Sequence, residues 1–114
     1  MTTEDRLRAF RTLEEFWPFY VSEHLNPVNR RLHFVGTTLA IVLIATGHFL
    51  AALVIAYGCA WTGHFIFERN RPATFKYPWL SLQADFRLYF LIVTGRMDAE
   101  IVRLSPEMKR LRQG

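Results

Sequence analysis

Charge is what the middle of this chain lacks. The 114 residues carry 14 Lys and Arg against 10 Asp and Glu, a net charge of +4, yet the stretch between His33 and Glu68 is nearly free of charge. A nucleic-acid binder interleaves cations and aromatics along one face. Here the arginines cluster near the two chain ends and around Arg69 to Lys76, which excludes that layout and matches a membrane protein instead. Cysteine is nearly absent as well. The single Cys59 excludes an intrachain disulfide and a cysteine-based zinc site, and its place inside an apolar helical pattern reads as packing. The opening Thr2-Thr3-Glu4-Asp5-Arg6 is charged, so no cleavable signal peptide is expected. A Gly-rich phosphate loop, a Gly-x-Ser-x-Gly elbow and paired acids spaced for sugar chemistry are all missing. Hydrophobic residues make up 51% and aromatics 15%, too apolar for disorder, and the length suits one domain over residues 1–114.

What is present reads as helix throughout. Thr2 or Thr3 with Glu4 and Asp5 forms a capped start, after which Leu7, Phe10, Leu13, Trp17, Tyr20 and His24 recur at spacings of three or four. Pro18 should kink or restart this helix. Its aromatic run, Phe16-Trp17 and Phe19-Tyr20, fits an amphipathic helix at a membrane interface; the alternative is a core-facing helix of a small bundle. Asn26-Pro27 signals a turn and Asn29 can cap the next helix. Apolar arms follow from Leu32 to Thr46 and from Phe49 to Phe67, predicting a helical hairpin with its tip at Gly47-His48. The first arm, of roughly 15 residues, is about 22 Å long against a hydrocarbon layer of about 30 Å. Arg30 and Arg31 precede the hairpin, and Arg69, Arg71 and Lys76 follow it, so the positive-inside rule puts both its ends on the cytoplasmic side and His48 on the other. The membrane would be the inner membrane of a bacterium or the endoplasmic reticulum of a eukaryote. Trp79 to Val93 is a further amphipathic helix, with Ser81, Leu82, Asp85, Leu88, Tyr89 and Ile92 on one side and Gly95 at its end. Met97 to Gln113 reads as one broken or two short basic helices restarting at Ser105-Pro106, with Lys109, Arg110 and Arg112 forming a solvated face; the alternative is contact with anionic lipid.

This topology brings groups distant in sequence to one end of the hairpin. His24, His33 and His64 meet there with Glu68, while the fourth histidine, His48, stays alone at the tip and is expected to bind nothing. Asn29 and His33 are four apart, as are His64 and Glu68, so each pair shares a helix face. Neutral imidazole with carboxylate and no thiolate suits iron(II), zinc or manganese, and an incomplete ligand set leaves room for substrate and oxygen. Asn29 can orient His33 or a bound water. Asp85 is a further ligand, or else an acceptor for Arg87 or a ring nitrogen. Arg69, Arg71, Lys76 and Arg87 are the cations placed to meet an anionic headgroup.

Phe19-Tyr20-x-x-Glu23-His24, Asn29-Arg30-x-x-His33-x-x-Gly36 and Gly63-His64-Phe65-x-Phe67-Glu68-x-Asn70-x-Pro72-Ala73, followed by Asp85-Phe86-Arg87, resemble the family of the fungal 2-hydroxy fatty acid dioxygenase. The resemblance spans roughly residues 16 to 90. It implies a membrane-embedded, iron(II)-dependent enzyme of fatty-acid α-oxidation that uses O₂ to shorten a 2-hydroxy acyl chain by one carbon. Carried over by motif, His24, His33 and His64 correspond to the family's essential histidines, and Glu68, Asn29 and Asp85 fall on motif positions. The metal set expected on this basis is His24, His33, His64, Glu68 and Asp85, with Asn29, Arg71, Arg87 and Tyr20 behind it or on the substrate. The acyl tail would lie along the hairpin against side chains such as Leu39, Val42 and Leu53. The expected partners are thus a 2-hydroxy fatty acid, O₂ and membrane lipid, with no nucleic acid; a homo-oligomer remains open. Two other readings stand beside this one: a non-catalytic membrane protein that binds lipid or a partner helix, and a bis-histidine haem protein.

Overall fold

The computed structural model describes residues 10–113. The cap expected at Thr2 or Thr3, the first stripe position Leu7 and the side chain of Arg112 lie outside what is described. Every regular element among the described residues is helical. Helix α1 spans Leu13–Ser22, α2 Pro27–Ala45, α3 Phe49–Thr62, α4 Pro78–Val93 and α5 Met97–Gln113. A π-helical turn, Gly63–Glu68, continues α3, and a 3₁₀ turn, Ala73–Phe75, precedes α4.

Helix α1 starts where Thr12 Oγ1 accepts the Glu15 N–H at 3.2 Å, with Glu14 and Glu15 at the positive end of its dipole. It runs unbroken through Pro18, where the sequence suggested a kink or restart. The backbone bond lost there is offset by packing, since Phe16, Trp17, Tyr20 and Val21 are all buried. These side chains turn inward against Ala84 and Leu88 of α4 and Met97, Leu104 and Met108 of α5, forming the one apolar core cluster among the described residues. Trp17 stitches this base together, because its indole N–H donates to Glu100 at 3.2 Å and the Arg87 guanidinium lies 5.2 Å from its ring centre. The tail does not restart at Ser105-Pro106; α5 is one helix with Pro106 inside it.

The hairpin is longer than the sequence suggested. Asn26, not Asn29, caps α2 by accepting the Val28 N–H at 2.8 Å, with Pro27 in the first turn where a missing N–H costs nothing. Its 19 residues therefore span about 28 Å instead of about 22 Å. At the tip Gly47 takes φ +85°, and His48 N–H donates to Leu43 O at 2.7 Å and Gly47 N–H to Ile44 O at 3.0 Å, the bonding of a glycine-terminated helix. Gly95 closes α4 in the same way with φ +71°. Both Pro27–Ala45 and Phe49–Glu68 are long and apolar enough to cross a membrane. Their outward side chains, Val42, Leu50 and Val54 among them, are more than half exposed.

Candidate metal centre

Three elements each deliver one imidazole to the base of the hairpin. His24 follows the end of α1, His33 sits on the second turn of α2 and His64 on the π-helical turn, and all three are buried. Each ring is held by its Nδ1. The His24 Nδ1 lies 2.6 Å from Tyr20 O, the His33 Nδ1 3.0 Å from Asn29 O and the His64 Nδ1 2.7 Å from Asn70 Oδ1. All three partners are carbonyl oxygens, which only accept, so each Nδ1 carries the proton and each Nε2 presents a lone pair. The His24 and His33 Nε2 atoms stand 3.2 Å apart, and one ring nitrogen from each histidine lies within 4.8 Å of the others. Two bare lone pairs at that distance repel unless a cation lies between them. Nitrogens each about 2.1 Å from one ion stand roughly 3.0 to 3.4 Å apart, a spacing the His24–His33 pair meets, and with the His64 nitrogen within 4.8 Å of both the three could hold a single metal ion. The rings meet near perpendicular, at 80°, 82° and 89°. Burial, then the neighbouring His33 and His64 rings, hold the His24 pKa well below the usual histidine value, which keeps that imidazole neutral and able to ligate.

The local sequence explains the geometry around His64. Gly63 packs so closely on α2 that a Cβ there would lie 2.0 Å from Asn29 Oδ1. Arg69 then adopts left-handed φ +60°, turning the chain so that Asn70 N–H returns to His64 O at 2.9 Å while its side chain reaches the same residue's ring. The Asn70 amide also donates to the Glu23 carbonyl at 3.0 Å and to its carboxylate. Burial first, then Glu68, raises the Glu23 pKa, and the Asn70 hydrogen bond opposes them.

The other residues singled out in the sequence stand outside the three-imidazole group. Glu68 accepts the Asn26 N–H across the base of the hairpin and falls outside the three-imidazole group. Asp85 also falls outside it and accepts the Tyr20 hydroxyl at 2.5 Å; burial raises its pKa to about 6 against that hydrogen bond. Tyr20 additionally stacks on the His24 ring with centres 4.0 Å apart. Asn29 orients His33 through its backbone carbonyl, which any residue would supply, while its side-chain nitrogen donates to Glu23 O at 3.4 Å. Arg71 lies over Phe75, and Arg87 pairs with Glu14 at 2.8 Å. His48 is exposed at the tip, 3.0 Å from Thr46 Oγ1.

From the imidazoles a cavity of about 340 Å³ runs along the hairpin to Ile44 and Phe49 beside its tip. Its polar groups come from Tyr20, the three histidines, Ser81 and Asp85, with the hydroxyl residues Thr37 and Thr74 also on the wall. Beyond them Ala40, Ile41, Ala52, Leu53 and Ala56 make it apolar, and no lysine or arginine lines it. Leu53 lines this wall while itself about half exposed, whereas Leu39 and Val42 do not line it. Two signals escaped the sequence reading. Ala52, Ala56 and Ala60 recur every fourth residue, a stripe of small side chains that opens the space. Asn70 and Ser81 were visible only as a motif letter and a helix-face residue. Three neutral imidazoles at the polar end of an apolar cavity would suit a metal ion that takes up a substrate with a polar head and a long tail.

No curated protein and no solved structure matches the chain. A family model described as 2-hydroxy-palmitic acid dioxygenase Mpo1-like matches residues 10–97, a stretch that holds all three imidazoles, Asn70 and every polar residue of the cavity. The chain therefore belongs to the 2-hydroxy-palmitic acid dioxygenase Mpo1-like family.

Proposed function

We propose that this protein is an iron(II)-dependent dioxygenase that shortens 2-hydroxy fatty acids by one carbon with O₂, working at the cytoplasmic face of a membrane. The observation that carries the reading is the meeting of three inward-facing imidazoles with the polar end of an apolar cavity. When bound there, iron(II) supplies Lewis acidity toward the carboxylate and hydroxyl of the acid and reactivity toward O₂. The chain supplies the rest. His24, His33 and His64 offer three neutral nitrogens, and Tyr20, Asn29 and Asn70 keep those rings in the required tautomer. Ala40, Ala52 and Ala56 leave room for an acyl tail and keep water from it. No lysine or arginine lines the cavity, so the charge of a substrate carboxylate would be left to a metal held by the three histidines. Arg30 and Arg31 in the first turns of α2 and Arg69 and Arg71 just after the π-helical turn support a cytoplasmic position for the site. A haem ligated by His24 and His33 is disfavoured, because their nitrogens 3.2 Å apart leave no space for a macrocycle between them.

The test is anaerobic purification with iron added, metal analysis, and mass spectrometry of 2-hydroxypalmitic acid after exposure to oxygen. One iron per chain and an acid one carbon shorter are expected. His64→Ala should abolish both and His48→Ala should spare both. Equal damage from the two substitutions, or no shortened acid from iron-loaded protein, overturns the proposal.

A further inference from the structure

Ser81 is 2% exposed, lines the cavity, and its Oγ has no hydrogen-bond partner among the described residues. Hydroxyls inside helices usually return to the carbonyl four residues back. Thr38, Thr62 and Ser105 do so here, at 2.9, 2.7 and 2.8 Å. Ser81 instead leaves its hydroxyl buried and unpaired beside the polar end of a mostly apolar cavity, an arrangement that is unfavourable without a ligand group to meet it. One turn further along α4 stands Asp85, also on the cavity wall, with one carboxylate oxygen already taken by Tyr20.

We propose that Ser81 is the specificity residue for the 2-hydroxyl of the substrate, the group that separates 2-hydroxy fatty acids from unsubstituted ones. This rests on the function proposed above and names how its substrate class is selected. The chemistry of the wall favours a hydroxyl over a carboxylate at this point. A carboxylate beside Asp85 would face a like charge one helical turn away, with no lysine or arginine on the wall to balance it. A hydroxyl is neutral and both donates and accepts, so it can pair with Ser81 Oγ in either direction. The carboxylate then lies toward the imidazoles, and the tail runs down the alanine-lined cavity toward Ile44.

The experiment measures binding without turnover. Zinc-loaded protein in detergent micelles is titrated with 2-hydroxypalmitic acid and with palmitic acid, each displacing a fluorescent fatty acid, and the ratio of the two dissociation constants is the readout. Wild type should prefer the 2-hydroxy acid. In Ser81→Ala that preference should fall by about 10-fold, the worth of one neutral hydrogen bond, with palmitic acid bound as before. Alanine is the best helix former, and unchanged palmitic acid binding reports that the cavity is intact. An unchanged ratio in Ser81→Ala, an equal loss for both acids, or no preference in wild type overturns the proposal. Iron-loaded protein that fails to turn over the 2-hydroxy acid, beside a zinc form whose preference depends on Ser81, would remove the dioxygenase reading and leave this inference standing.

Discussion

Gly63 precedes the histidine of the π-helical turn and has no room for a side chain, since a Cβ would fall 2.0 Å from Asn29 Oδ1. Gly63→Ala should therefore push α3 from α2, costing about 1 to 3 kcal/mol by overpacking. It should also weaken metal binding, because the displaced backbone carries His64; denaturant unfolding and a chelator competition read the two effects separately. Asn70 acts more directly on that ring through its Oδ1 at 2.7 Å. Asn70→Ala frees the Nδ1, and a loss of about 10- to 100-fold in metal affinity is expected with the helical content unchanged. Asp85 sets a pH dependence in the metal-free chain. Its folded pKa of about 6 lies above the ordinary 3.8, so the folded chain holds this proton more tightly than the unfolded one. The associated stability is full below about pH 3.8 and is lost as pH rises through about 6. Asp85→Asn should flatten that decline in unfolding experiments between pH 4 and 7, and an undiminished slope would place its origin elsewhere. At this scale the sequence was legible only in part. Histidines stand out in a sequence as candidate ligands, whereas Ser81 is noticeable only once its hydroxyl is seen to lack a partner.

At the scale of elements, long uncharged runs made the hairpin legible, and Gly47 and Gly95 marked helix ends because each adopts positive φ there. What was misplaced follows from local rules overridden by packing. Pro18 and Pro106 sit inside helices whose buried faces hold them together, and the α2 cap moved to Asn26 because Pro27 is prepared for a first turn. The π-helical turn was illegible, since a reading at 3.6 residues per turn has no place for an extra residue. Glu68 shows the cost of that. Counted four residues from His64, it shared a face with that ring; on the wider turn it reaches across to Asn26 N–H instead. Asn26 is itself joined to Phe67 O by its side-chain nitrogen at 3.1 Å, so the two residues clasp the start of α2 to the end of the hairpin. Glu68→Gln should accordingly lower the melting temperature while leaving metal content at one per chain. A stoichiometric loss of metal would return Glu68 to the ligand set.

For the molecule as a whole, the aromatic core and the imidazole cluster are two layers of one base, joined where Tyr20 belongs to both. Its ring packs on Trp17 with centres 5.5 Å apart and on His24 at 4.0 Å, while its hydroxyl reaches Asp85 on α4. The hairpin adds little buried surface of its own beyond the contact between α2 and α3, with most of its apolar side chains facing outward. The base is closed by the hydrogen bonds of Asn26, Glu68 and Asn70, and an ion held among the three nitrogens would add to that closure by replacing their mutual repulsion with attraction. Metal binding should then be linked to global stability. An ion at about 100 times its dissociation constant stabilises the folded chain by about 2.7 kcal/mol, which for a domain of this size corresponds to a rise of roughly 10 °C or more in Tm. Thermal unfolding in micelles with and without zinc is the measurement. Wild type and His48→Ala should show the rise, and His24→Ala, His33→Ala and His64→Ala should each lose it. Because metal-free His64→Ala also sheds a crowded imidazole, its unliganded Tm should fall by less than an ordinary buried truncation would require. A rise that persists in all three single variants would mean that the ion binds away from these rings.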